Sequence, residues 1–507
     1  MSLYDFTFYQ VINRNASCFK KKEAWLECKD NRRLSFTKYK ENVDCLAKGL
    51  QKYGVKKGDR IAILGKNSLE SFLIYGAAAA LGAIVLPVNW RLSPEEVHFV
   101  INDCNPKVLF VDEDYQELIN GLRGKLDAVE KYFCLGARGD GFQDFISLLD
   151  NEGNWEAQEV STEDGFVIIH TAAVKGRPKG ALLSHGNVLC ANMHLGYLLG
   201  LSASHVNLNI LPLFHAGGLF AVTSSFHFGA MNVNMSKFDS YKAVKLIQDK
   251  KISVMFELAP ILSSILDQSE KTGLDIRSLK AIVGIDTPDT IEKYQRVTGG
   301  HFYTLYGQTE LSGYATFGSY NDNLGSAGKT APLCEMKIVD DYDNEVLAGR
   351  VGEIIARGPL VFKGYWNRPE ENAYTFRNGW HHTGDLGRLD EDGFLWYEGC
   401  KAEKELIKPG GENVYPAEVE EVIKKHPAVE KTVVFGVPDP KWKEGIKAVC
   451  KLRVEQKLTP QQLIDFVGQH IASYKKPSYV QFVTYFPLLE DGSPDRIKIK
   501  EKYGNTK

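Results

Sequence analysis

A chain of 507 residues is too long for one ordinary core, so two or more domains are expected. Its 44% apolar and 25% charged residues exclude a largely disordered chain, and 61 basic against 64 acidic residues, a net charge of −3, leave no nucleic-acid footprint. Nine cysteines without CxxC spacing argue against a zinc ribbon or a disulfide framework and fit a reducing, cytoplasmic setting.

Met1-Ser-Leu-Tyr-Asp leads into mixed polar sequence, so no secretory leader is expected. Val43, Leu46, Ala47 and Leu50 share one helical face, with Gly54 placed to end that helix. Strands are expected at 61–64, 84–86 and 108–111, with helices over 69–81 and from Ser93-Pro94, where a capping hydroxyl precedes a first-turn proline. The apolar run 72–88 is rich in Ala and Gly and reads as a core helix entering a buried strand, not a membrane span. Such alternation predicts an α/β fold with a mostly parallel sheet. Asn89-Trp90-Arg91 is either plain loop or the lining of a cleft.

Phe166–Ile169 reads as another buried strand, and T-A-A-V-K-G-R-P-K-G, Thr171 to Gly180, leaves it. Two glycines let the backbone approach a ligand, while Lys175, Arg177 and Lys179 repel one another unless solvent or an anion meets them. A phosphate cradle and an ordinary basic turn both fit; the P-loop does not, because its G-K-[ST] is missing. A helix from Ser184 to about Leu199 follows, stopped by Gly200. His215, between Phe214 and Gly217-Gly218, suits a cleft wall or a structural role. Val254–Phe256 and Ala281–Asp286 continue the pattern. A strand at 302–306 then delivers Gly307, Gln308, Thr309 and Glu310 to the end where open α/β sheets bind ligands. Thr383-Gly384-Asp385 sets a carboxylate beside a glycine at another strand end.

From Glu398 to Glu405 the composition turns to charge. This places a large domain over 1–399, a hinge over 400–404 and a small α+β domain over 405–507. Strands in the latter are expected at 432–435, 447–452 and 480–485, with helices over 417–425 and after Thr459-Pro460.

Taken together, these stretches resemble the adenylate-forming (AMP-binding) enzymes, the superfamily of acyl-CoA synthetases, luciferases and peptide-synthetase adenylation domains. Its phosphate loop, T-S-G-[ST]-T-G-x-P-K-G, is matched at Thr171, Gly176, Pro178, Lys179 and Gly180. Y-G-x-T-E is matched by Tyr306, Gly307, Thr309 and Glu310, and T-G-D by Thr383 to Asp385. Gly352–Trp366 fits a largely architectural segment, and Gly410, Gly411, Glu412 and Asn413 fit the glycine-rich loop that serves thiol transfer. The resemblance implies a large domain of βα-layered sheets joined by a hinge to the small one. It implies ATP held by Thr171, Lys175, Gly176 and Lys179, with adenine against Tyr306 and the loosely matched turn at Gly284 and Asp286. Thr309 would meet the α-phosphate, Glu310 a Mg2+ ion, Asp385 the ribose, and His215 would gate the acyl pocket beside the reaction centre. Coenzyme A would enter along Gly410–Asn413.

Three departures stand out. Ala172 to Lys175 replace Ser-Gly-Thr-Thr, so hydroxyl donors are lost and one cation is gained. Gly399-Cys400 stands where the family has G-R, leaving Lys401 or Lys404 as stand-in for a ribose-contacting arginine. Arg496 takes the place of the C-terminal catalytic lysine, with Lys498 the second candidate; an arginine there keeps the charge and adds a planar fork.

The resemblance thus implies an ATP-dependent carboxylic acid–CoA ligase working through an acyl-adenylate, with a weak preference for medium-to-long fatty acids. Loading of a carrier-protein thiol, or a catalytically weakened relative that binds nucleotide or acyl-CoA, are the alternatives. The expected partners are a small-molecule acid, ATP and CoA; no nucleic acid and no transmembrane segment are expected, and a homodimer stands open beside a monomer.

Overall fold

The computed structural model describes residues 3–150, 155, 158–171, 177–401, 406–440, 442–489 and 493–505. Lys175, Gly176 and Lys404, and with Lys404 most of the expected hinge, lie outside the described residues. Two compact units result. Met1–Trp90, Ile101–His170 and Gly180–Gly399 form the first; Arg91–Val100, Thr171–Lys179 and Cys400–Lys507 form the second.

In chain order, the elements that carry the argument are helix α1 (Pro94–Cys104), strands β1 (Gly165–Thr171) and β2 (Lys179–Ser184), helix α2 (Ala216–His227), strands β3 (Val254–Leu258), β4 (Ala281–Ile285), β5 (His301–Tyr306), β6 (Gly352–Arg357), β7 (Gly364–Tyr365) and β8 (His381–Leu389), and helix α3 (Arg496–Tyr503).

The first unit holds three sheets. An eight-stranded sheet runs in the order β7, β2, β1, Ile84–Val88, Arg60–Leu64, Val108–Asp112, Lys131–Leu135, Gln143–Asp144. The strands from β1 onward pair in parallel, so their connections must cross over, by helices everywhere except the short link 136–142, while β7 closes the β2 edge in antiparallel. A nine-stranded sheet has β3, β4 and β5 as parallel neighbours and an antiparallel pair of short strands beyond β5. Third is a four-stranded sheet in which β6 and β8 are antiparallel neighbours.

The helix Leu69–Leu81 has the expected bounds, and every residue of it except Glu70 is buried. A helix apolar all round must lie inside. Ser68 caps its start and left-handed Gly82 ends it. Around it Phe72 stacks on Trp25 at 4.9 Å and meets Tyr39 at 5.1 Å and Phe226 at 5.5 Å, so the core is largely aromatic. The helix ahead of Gly54 runs Phe36–Lys52, and the one after Ser184 runs His185–Leu199 with Gly200 left-handed.

The second unit has a three-stranded sheet in which Val429–Asp439 and Lys443–Leu452 pair antiparallel and Tyr479–Phe482 joins in parallel. The last strand is shorter than the expected 480–485, since its pairing stops at Phe482 opposite Cys450. The helices Pro416–Lys424 and Pro460–His470 both begin on proline, the second behind a Thr459–Gln462 capping box.

Candidate active site

At the carboxyl end of β5 the chain makes a tight passage. A Cβ on Gly307 would sit 2.0 Å from the Gly313 carbonyl oxygen, so only glycine fits between the strand and the one-turn helix Thr309–Leu311. That constraint fixes where Tyr306, Thr309 and Glu310 emerge.

Tyr306 is buried, and its hydroxyl donates to Asp385 Oδ2 at 2.8 Å. Gln308 Nε2 donates to the same oxygen at 3.0 Å, while Gln308 Oε1 faces His381 Nε2 at 3.3 Å. Burial, then the Asp385 charge, push the Tyr306 phenol well above its ordinary value, so it serves as a donor throughout the physiological range. Its ring stacks on Tyr397 at 6.0 Å.

Asp385 is delivered by β8 at a place where pairing with β6 slips register between Glu353 and Ile355. Gly384 takes φ +69 there and donates its N–H to Glu353 Oε1 at 3.0 Å. Buried Glu353 also meets Arg377 Nη2 at 3.2 Å and His382 Nδ1 at 3.3 Å. Thr383 donates its hydroxyl to the Ile354 carbonyl at 2.6 Å and accepts from Asp385 N at 3.1 Å. The irregularity in the ladder is therefore pinned on both sides, and the aspartate with it.

Glu310 is also buried, and its Oε1 accepts the Tyr365 hydroxyl from β7 at 2.9 Å. Gly284 lies in β4 beside β5, and a Cβ on it would come within 2.4 Å of the Glu257 carbonyl oxygen in β3. Asp286 follows that strand and accepts the Thr287 N–H at 2.6 Å. His215 is the N-cap residue of α2, its ring 4.6 Å from that of Phe214. The turn before it is fixed by Leu213, whose N–H donates to Asn67 Oδ1 at 2.8 Å and whose carbonyl accepts Tyr75 at 3.0 Å.

The structure thus brings Tyr306, Gly307, Thr309, Glu310 and Asp385 to one place, with Gly284 on the adjoining strand and Asp286 just past its end. Sequence reasoning missed His381 and Tyr365. It set Gln308 at the ligand end of the strand but gave it no role, because Gln308 fills the free position of Y-G-x-T-E.

Other expected site residues lie in the second unit. Thr171 ends β1 and Lys179 opens β2, and the Thr171 hydroxyl lies 3.4 Å from the Lys179 carbonyl it donates to. Gly410 has φ +59, and a Cβ there would lie 2.8 Å from the Trp442 ring. Around Gly410 and Gly411 the loop is closed at its base by Ile407 and Val414, each donating its N–H to the other's carbonyl at 2.8 Å. Glu412 pairs with Arg91, and Asn413 is exposed. Arg496, the first residue of α3, donates to Glu420 Oε1 at 2.6 Å and to the Val434 carbonyl at 2.8 Å. Lys498 is mostly exposed and pairs at 3.0 Å with Asp495, the cap of α3.

The sequence pattern of the AMP-binding enzymes matches residues 12–366, and that of the AMP-binding enzyme C-terminal domain matches 418–492. The chain belongs to this family. Indoleacetate–CoA ligase of Aromatoleum aromaticum is 33% identical over 93% of both chains. Long-chain-fatty-acid–CoA ligase FadD13 of Mycobacterium tuberculosis is 29% identical over 98% of both. Among solved structures, o-succinylbenzoate CoA synthetase of Bacillus subtilis aligns with a TM-score of 0.84, 27% identity and 98% coverage of each chain. This AMP-binding enzyme is accordingly an acid–thiol ligase of the acyl-CoA synthetase type, with the adenylate-forming fold, and such ligases use ATP and CoA. Names among its relatives span aryl acids, fatty acids and an acyl-carrier-protein acceptor. Among the described residues no helix is long and apolar enough to cross a membrane.

Proposed function

We propose that the protein joins a small carboxylic acid, in the first instance a medium-to-long fatty acid, to coenzyme A. The acid's carboxylate oxygen attacks the α-phosphorus of ATP and pyrophosphate leaves; the CoA sulfur then attacks the acyl carbon and AMP leaves. Positioning and charge neutralisation do this work, without a covalent protein intermediate.

One observation carries the reading: the buried Asp385 carboxylate, which lies inside β8 where its ladder slips and not at the expected strand end, is oriented by Tyr306 and Gln308 from the end of β5, with Glu310 buried on the turn that follows. In this reading Asp385 accepts the ribose hydroxyls and Thr309 meets the α-phosphate. Thr171 and Lys179, with Lys175 and Gly176, take the outer phosphates. Gly284 and Asp286 flank adenine with Tyr306, while His215 walls the acyl pocket. Glu310 offers the hard oxygen that Mg2+ takes, held by the Tyr365 hydroxyl; the ion would supply charge neutralisation at the phosphates. Gly410 to Asn413 would guide the thiol, Arg496 or Lys498 would meet developing negative charge, and Lys404 would stand in at the ribose. The small domain would turn about the hinge over 400–404 between the two half-reactions. Nine free cysteines favour a reducing compartment, the cytoplasm.

A relative 29% identical over 94% of this chain, named a fatty acid–[acyl-carrier-protein] ligase, supports a carrier thiol as the second reading. The deciding test is pyrophosphate release with ATP and Mg2+ across a panel of fatty and aryl acids, with CoA, with a pantetheinylated carrier, or with neither. Acid-dependent release completed only by CoA supports the first reading. Completion by the carrier alone supports the second, and release with no acid in the panel overturns both.

A further inference from the structure

His170 is the residue before Thr171, and its side chain is only 7% exposed. Its Nε2 meets Asp103 Oδ2, on the last turn of α1, at 3.3 Å. Asp103 Oδ1 accepts Arg368 Nη2 at 2.7 Å. Arg368 in turn donates to the Asn367 carbonyl at 3.1 Å and faces the Trp366 carbonyl at 3.4 Å. The Trp366 N–H donates to the Gly180 carbonyl at 2.7 Å, and β7 just before it pairs with β2. The circuit closes on itself, because a Cβ on Gly180 would lie 3.2 Å from His170 Cε1.

Thus the residue that enters the basic loop and the residue that leaves it are tied to one turn, Trp366–Arg368, by separate routes. One route is ionic, through Asp103; the other is a backbone ladder. Burial alone raises the Asp103 carboxyl, but the hydrogen bonds from His170 and Arg368 outweigh it and hold the group below its ordinary value, as a carboxylate. Cys104 lies beside the pair, with ligand atoms of Asp103, Cys104 and His170 all within 4.8 Å of one another. A metal is disfavoured there, since burial holds the thiol protonated and Arg368 already neutralises the aspartate. His170 Nδ1 is buried with no hydrogen-bond partner among the described residues, so the ring is held from one side only.

We propose that His170, clamped by Asp103 and Arg368, is a positioning residue that sets the neck of the phosphate loop and so governs affinity for the outer phosphates of ATP. The inference rests on the reading of Thr171–Gly180 as that loop.

The test compares equilibrium binding of Mg·ATP and of adenosine to the full chain. His170→Phe keeps the ring volume and loses the hydrogen bond to Asp103; it is expected to weaken ATP about tenfold and leave adenosine unchanged. His170→Asn, which can still donate to Asp103, should recover most of the loss. Arg368→Met, for use if the first variant misfolds, should show the same selective loss. Equal loss of both ligands, or no loss of ATP, overturns the inference. Lys179→Ala separates the two levels. If it leaves the preference for ATP over adenosine intact, the phosphate-loop reading itself fails. If it abolishes the preference while the His170 and Arg368 variants keep it, only the positioning role fails.

Discussion

Around Asp385, side chains from three separate stretches share hydrogen bonds in a buried setting: Tyr306 and Gln308 on the aspartate, Tyr365 on Glu310, and Glu353 under Gly384. Around Gly410, by contrast, backbone does more of the work, through the Ile407–Val414 bridge and a left-handed glycine, with the Trp442 ring against Gly410 and Arg91 on Glu412 added from outside the loop. The first arrangement stores its order in long-range side-chain contacts, which cost desolvation to break. The second relies more on backbone closure and local dihedrals, which suit a segment proposed to act in only one of two half-reactions. The two proposed sites are thus held by a different balance of contacts.

The largest effect should come from breaking the first. Asp385→Ala removes the shared acceptor and leaves the Tyr306 hydroxyl and the Gln308 amide without it. Acid-dependent pyrophosphate release is expected to fall by about two to three orders of magnitude; a rate near that of the parent would remove Asp385 from the site. Gly411→Leu probes the second. Thioester formation should fall on the order of tenfold or more while acyl-AMP formation stays within about twofold, read by single-turnover assays with and without CoA. Loss of both half-reactions to the same degree would end the distinction drawn above.

Two glycines sharpen the contrast at smaller scale. Gly307→Ala forces a methyl against a carbonyl oxygen, whereas Gly410→Ala meets the edge of a tryptophan ring and a left-handed φ. The former should cost about 1–3 kcal/mol in urea denaturation, and the latter less. The reverse order would show that the backbone near Gly313 yields more readily than Trp442.

A last predicted change is in acid sensitivity. His185 is fully buried, its Nδ1 3.4 Å from the Phe8 N–H, and burial pushes its pKa down from 6.5 to about 3. The unfolded chain binds a proton that the native state refuses. The stability this group contributes is therefore whole above pH 6.5 and is lost as pH falls toward 3, by at most about 1.4 kcal/mol per unit. His185→Gln should flatten that acid limb, measured as the urea midpoint between pH 6 and 4, and an unchanged slope would refute the assignment.

Much of this was legible in the residues. Helix Leu69–Leu81 followed from its apolar run, and the end of β5 followed from Tyr306-Gly307 and the polar residues after it. The partners were not legible, because they are set by pairing in space. Tyr365 reaches Glu310 from 55 residues away, and Glu353 finds Gly384 only because β6 and β8 are neighbours with a slipped register. Asp103 and His170 gave no signal at all, since neither stands in a motif. The third strand of the small sheet was drawn too long because Val483 and Tyr485 carry strand propensity beyond the last paired residue, Phe482.

The clamp on the loop neck joins residues 265 apart in the chain, Asp103 and Arg368. A ribosome that has just released His170 has 368 − 170 = 198 residues still to add before the arginine exists. At roughly 5–20 residues per second, that is on the order of ten to forty seconds in which Asp103 and His170 exist but their cation does not. The tie between the two ends of the proposed phosphate loop is therefore completed late in synthesis, although the loop itself is made early.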